Sequence, residues 1–224
     1  MIAGERPPAS TAAGGASPAA LAAELLDALL AGDTARAELI ALDAVGGRLS
    51  LTDLYVDVIT PALHEIGERW QRGELSVADE HLATGIVEDV MARVGRSGTR
   101  LPRRSRERLL LAGAENEGHV VGLRMLADLA EGAGFDVRYL GAAVPADALA
   151  DLTRRLEPRI VCLTASVGAP SAAVVEAVEA VLEIEDVDVL LGGTGVPLTL
   201  QGRMRVHHAA DVREAMRLIE ELVA

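Results

Sequence analysis

Four apolar runs, "RLLLAGA" at 108 to 114, "FDVRYLG" at 135 to 141, "RIVCLTAS" at 159 to 166 and "VDVLLGG" at 187 to 193, are each followed by a segment with helical spacing. The first, third and fourth are almost continuously apolar, as expected of strands buried on both faces. Strands that alternate with helices pair in parallel, because every parallel connection must be long enough to cross over the sheet. The second half of the chain is therefore expected to be a flavodoxin-like, Rossmann-like, doubly wound parallel sheet. A short fifth strand is expected near Arg205 to His207, with helices beginning near Val120, Pro145, Ser171 and Asp211.

The first half contains nothing that alternates like a strand. "PAALAAELLDALLAGD" sets Leu21, Leu25, Leu26, Leu29 and Leu30 on one stripe, and "TARAELIALDAVGG" starts at Asp33 or Thr34 and stops at the Gly46–Gly47 pair. A third helix, from about Leu51 to Arg72, carries Pro61 and should kink or split there. A fourth, "SVADEHLATGIVEDVMARV", has Ser76 as its cap. Four amphipathic helices with short connections predict a small bundle. The expected organisation is a disordered tail over 1–17, a helical-bundle cap over 18–95, an arginine-rich linker over 96–107 and the α/β unit over 108–224.

Composition narrows the function. Half of the residues are apolar but only 2% are aromatic, so the core must be built from Ala, Val, Leu and Ile. A net charge of -13 argues against non-specific nucleic-acid binding, which needs clustered cations on phosphates. All 21 basic residues are arginine, and six of them fall between Arg96 and Arg108 beside a single acid, Glu107. Gly98 and Pro102 interrupt that stretch, which reads as a solvated linker. The one cysteine, Cys162, sits in an apolar run, so it reads as a small buried hydrophobe in a chain suited to a reducing cytoplasm. No run approaches a membrane span, and the first residues lack the apolar region of a signal peptide.

Ligands of doubly wound sheets bind outside the carboxyl ends of the strands. Glu117, His119, Ser166, Gly192 and Gly193 all fall there. A dinucleotide site is a poor fit, since Gly113, Gly118 and Gly122 are wrongly spaced and Glu115 and Glu117 would repel a phosphate. A phosphate-cradling loop and a phosphorelay receiver each need a lysine, and the chain has none. Neutral imidazole suits a metal, and a carboxylate two residues away can hold its other ring nitrogen. One histidine is too few ligands for zinc, so the metal would arrive with ligands of its own, as in a tetrapyrrole-like cofactor.

"EGHVVG", residues 117 to 122 and so including Gly118, Val120 and Gly122, resembles the Asp-x-His-x-x-Gly signature of cobalamin-binding domains of the methionine-synthase type, with Glu117 in place of Asp. "SVGAP", with Ser166 and Val167, and "GGTG", with Gly192, Gly193 and Thr194, fit the rest of that pattern. The resemblance implies that His119 is the lower cobalt ligand, displacing the dimethylbenzimidazole base, whose nucleotide tail then inserts beside Ser166, Gly192 and Gly193. "WQRGELSVADEH" and "ITPALHEIGERW" resemble the cap of the MerR-related, cobalamin-dependent light-sensing regulators. That likeness implies that Trp70, Glu80 and His81 face the upper, adenosyl-bearing side of cobalt. Many such regulators carry His directly after the Trp, where this chain has Gln71, leaving His81 or His64 as alternative imidazoles for the upper face. His207 and His208 match nothing in the pattern and are expected after the last strand.

The resemblance implies cobalamin as cofactor, in its adenosyl form or alternatively as methylcobalamin, in a non-enzymatic regulatory sensor. Only seventeen residues precede the bundle, so direct DNA binding is not expected and signalling would run through a homo-oligomer or a partner such as a transcription regulator. A corrinoid methyl carrier of a methyltransferase system and a cofactor storage or delivery protein are the alternative readings.

Overall fold

The computed structural model describes residues 16–47, 49–97, 107–166 and 171–224. Residues 1–15 of the expected tail, residues 98–106 of the expected linker, and Val167 lie outside the described residues.

Local chemistry starts the helices of the first block. α1 (Pro18–Leu30) has proline at its start and Ser17 accepting from the Ala20 amide at 3.2 Å. α2 (Thr34–Gly46) is capped by Asp33, which accepts from the Arg36 amide at 3.0 Å. α5 (Val77–Ser97) begins with a reciprocal box: Asp79 N–H donates to Ser76 Oγ and Ser76 N–H to Asp79 Oδ2. Leu25 and Leu29 are buried as the stripe requires, but Leu30 is 40% exposed, because the buried positions follow Ala22, Leu25, Ala28 and Leu29 and leave it at the edge.

Pro61 does not interrupt the helical run, but the run is not a single α-helix. α3 (Leu51–Asp53) passes into a π-helical segment, Leu54–Ile59, and then into α4 (Thr60–Gln71). Proline has no N–H for the carbonyl four residues back and its ring crowds that carbonyl. The preceding turn widens instead, so that Thr60 N–H reaches the Tyr55 carbonyl, which also accepts from Thr60 Oγ1 at 2.8 Å.

The second block is a five-stranded parallel sheet with strand order β2-β1-β3-β4-β5. Its strands are β1 (Arg108–Ala114), β2 (Asp136–Val144), β3 (Ile160–Thr164), β4 (Asp188–Gly192) and β5 (Val206–Ala209). Its helices are α6 (Val121–Ala133), α7 (Ala146–Leu156), α8 (Ser171–Leu182) and α9 (Val212–Leu222). β5 extends beyond the expected fifth strand, so His207 and His208 lie within it rather than after it. His207 Nε2 stands 3.0 Å from Asp188 Oδ1, and Asp188 also accepts from Arg159, at the end of the sheet away from the site.

The two blocks share one core. Met125 and Leu129 of α6 pack with Leu25, Tyr55, Ile59 and Met91 of the helical block. The π segment seats this contact. Tyr55, fully buried, donates its hydroxyl to Asp128 Oδ2 at 2.9 Å, and Arg124 pairs with Asp128 Oδ1 at 2.7 Å. Burial, and then the neighbouring carboxylate, push the Tyr55 phenol far above its ordinary pKa, which keeps it a donor. Arg213 of α9 reaches Asp53 at 2.8 Å and Asp57 at 2.9 Å, an exposed contact of small energetic weight. Tyr55→Phe should therefore lower the unfolding free energy by about 1–3 kcal/mol, the cost of leaving a buried partner short of a donor, as measured by urea denaturation.

Candidate cofactor site

The loops after β1 and β3 meet where the strand order reverses, the place where this topology opens a crevice. Past Ala114 the chain turns at Asn116, whose φ of 65° is a left-handed conformation that asparagine tolerates. This turn aims Glu117 inward. Its side chain is 1% exposed, and both of its oxygens find polar partners.

Glu117 Oε1 accepts from His119 N–H at 2.6 Å and lies 3.0 Å from His119 Nδ1, while Oε2 accepts from the Ser166 amide of the β3 loop. Burial works against ionisation of Glu117. The hydrogen bonds from Ser166 and His119 outweigh it, and hold the carboxyl below its ordinary value. Ser166 Oγ is 2.9 Å from the same Nδ1. With two oxygen acceptors around it, Nδ1 is assigned the proton of the neutral ring, which leaves the lone pair on Nε2. The His119 side chain is 76% exposed, and Nε2 makes no hydrogen bond among the described residues. The arrangement presents an oriented imidazole with a free donor atom, as metal coordination requires.

Beside His119 a cleft of about 280 Å³ runs between the sheet and the helical block. Leu123, Cys162, Leu190 and Val212 give it apolar walls, and Ser166, Thr194 and Asp211 add polar groups. Cys162 is buried as expected, and burial pushes its thiol up to about 12, so it is uncharged. Gly122 and Gly192 line the cleft, and a Cβ on either would meet no atom within 4 Å. Gly193 has a different reason to be glycine. Its φ is 96° and a Cβ would stand 2.2 Å from the Ala165 carbonyl oxygen. Gly195 would collide with the Ser166 carbonyl at 1.8 Å. These two residues let the β4 loop lie on the β3 loop, joined by the Gly195 amide to the Ala165 carbonyl at 2.9 Å.

The structure brings Glu117, His119, Gly122, Ser166, Gly192, Gly193 and Thr194 to one place. Gly118 borders open space, and Val120 caps α6 while packing on the sheet core. Trp70, Glu80 and His81 do not line this cleft. Trp70 is 44% exposed at the end of α4; Glu80 is held by Thr84 Oγ1 at 2.9 Å and by His81 Nδ1 at 2.5 Å. His64, named from the sequence only as an alternative imidazole for the upper face, lines the cleft with Thr60. Gly195 was hidden in plain view within "GGTG", whereas nothing in the spacing marks His64.

Residues 21–94 match a family model described as a B12 binding domain, and residues 107–223 match a second model of the same description. The chain belongs to the B12-binding family. The HTH-type transcriptional repressor CarH of Myxococcus xanthus is 33% identical over 123 residues, which cover 55% of this chain and 40% of that protein. The chain thus spans less than half the length of this relative. The monomethylamine corrinoid protein of Methanosarcina barkeri superposes with a TM-score of 0.75 over 90% of this chain and 98% of its own, at 15% identity, a likeness of fold.

Cobalamin is the cofactor, and the site suits it. The free Nε2 of His119 is a donor that could hold cobalt, and the open faces of Gly122 and Gly192 leave the cleft clear for a slender appendage such as a nucleotide tail. Glu117 links the two loops through its charge, so its contribution is full above the ordinary value of 4.5 and is lost as pH falls through its lower folded value. Glu117→Gln should cost about 2–4 kcal/mol at neutral pH, for a buried charge-assisted network, and the deficit relative to wild type should shrink below pH 4.5. Denaturant titrations of both proteins across pH measure it.

Proposed function

We propose that this B12-binding chain is a regulatory sensor that holds adenosylcobalamin base-off through His119 and responds to light. The observation that carries this reading is the cap. Trp70 is the chain's one tryptophan, and the bundle leaves it 44% exposed at the end of α4, with Val77 and Leu82 of α5 exposed as well. An adenosyl group is a cover of suitable shape and chemistry. Glu80, fixed by Thr84 and beside His81, supplies acceptors for its hydroxyls and amine. The relation to a transcriptional repressor, CarH, supports a regulatory role.

Cobalamin would supply a cobalt–carbon bond that light or a nucleophile can break. His119, oriented by Glu117 and Ser166, would hold the lower face. Ser166, Gly192, Gly193 and Thr194, with Gly118, Val120 and Gly122, would form the slot for the tail. Loss of the upper group would uncover Trp70 and Glu80 and alter how the cap packs, biasing a homo-oligomer or a partner protein. Gln71 beside Trp70 favours a second reading, a corrinoid methyl carrier, because it removes the imidazole that would take the vacated upper face.

His119→Ala should weaken adenosylcobalamin binding by about ten- to a hundredfold, as expected for loss of a metal ligand or its support, and give the base-on visible spectrum. An unchanged base-off spectrum would remove His119 from cobalt. Under green light the wild-type holoprotein should change its spectrum and its elution volume or partner binding together. Bleaching with no change in assembly or binding would favour the carrier.

A further inference from the structure

Besides His119, whose Nε2 faces outward for cobalt, His64 is the one residue with a side-chain nitrogen among the described residues that line the cleft. No arginine among the described residues lines it. Thr60, one turn before His64 on the same face of α4, spends its hydroxyl on the Tyr55 carbonyl, and Ser166 Oγ is engaged with His119. His64 makes no hydrogen bond or ion pair among the described residues, so its N–H is uncommitted. The cleft therefore has an unused N–H donor on its helical-block wall, besides the hydroxyls that Thr164 and Thr194 contribute from the sheet side.

We infer that His64 is a positioning residue for the cofactor's nucleotide tail, donating its ring N–H to the tail's phosphodiester. The inference rests on the base-off reading, since only a released tail enters the cleft. A phosphodiester is an anion that must exchange its water for donors when it leaves solvent, and Asp211 on the same cleft supplies none. The consequence is mechanical as well as chemical. A tail held by His64 on α4 and lying along the loops after β3 and β4 touches both blocks, so cofactor binding fastens the helical block to the sheet.

The test compares two corrinoids in the dark, adenosylcobalamin and adenosylcobinamide, which lacks the nucleotide tail. Each is titrated into the full chain and followed by visible absorption. Wild type should prefer adenosylcobalamin. His64→Ala should weaken adenosylcobalamin about ten- to a hundredfold, the weight of one hydrogen bond to a charged group, and leave adenosylcobinamide unchanged. His64→Gln, which keeps an N–H donor, should recover most of the loss. Equal loss for both corrinoids, or loss for neither while wild type still prefers the tailed one, overturns the role of His64 alone. A wild-type chain that binds both equally overturns tail insertion itself. Because the titrations run without light, failure of the photoresponse leaves this result standing.

Discussion

The site depends on one buried carboxylate. Glu117 is enclosed by protein, remains ionised, and directs its two oxygens to different loops, one to His119 and one to Ser166. A buried charge is tolerated only where fixed dipoles replace its water, and here two backbone amides and an imidazole N–H do so. The same bonds set the ring tautomer of His119 and fix the spacing of the two loops between which the cleft opens. The charge, the free nitrogen of His119 and the spacing of the two loops are therefore not independent.

A second constraint comes from the helical block, whose position is fixed by a defect in a helix. Pro61 forces the preceding turn open, and the widened turn presents Tyr55 to Asp128 on α6 and Asp53 and Asp57 to Arg213 on α9. α6 begins directly after the His119 loop, and α9 begins at Asp211 in the cleft wall. The cap thus rests on the two helices whose first residues border the cofactor site. This seating brings Thr60 and His64 to the cleft, and it gives any change in cap packing a short physical route to His119.

Much of this was legible in the residues. Continuous apolar runs alternating with helical segments dictate a parallel sheet, and the motif "EGHVVG" places acid and imidazole on one strand-end loop, close enough that only the turn geometry was in question. The helix caps at Ser17, Asp33 and Ser76 follow from short-range hydrogen bonding and were equally readable. The glycines were readable as a motif but not in purpose. Gly192 and Gly193 are neighbours in sequence, yet one faces open cleft and the other lies under a carbonyl of a different loop.

What the sequence by itself determined is what local chemistry and period determine: element types, sheet class, the caps, and a loop imidazole with its acidic neighbour. Which residues share a cleft was decided only by the tertiary structure. His64 lies 55 positions before His119 in the chain, and Ser166 lies 47 after it, separations across which no periodicity carries information. Their meeting depends on how a π turn seats one block on another and on where strand order reverses. Both result from long-range packing, in which every side chain of the shared core takes part.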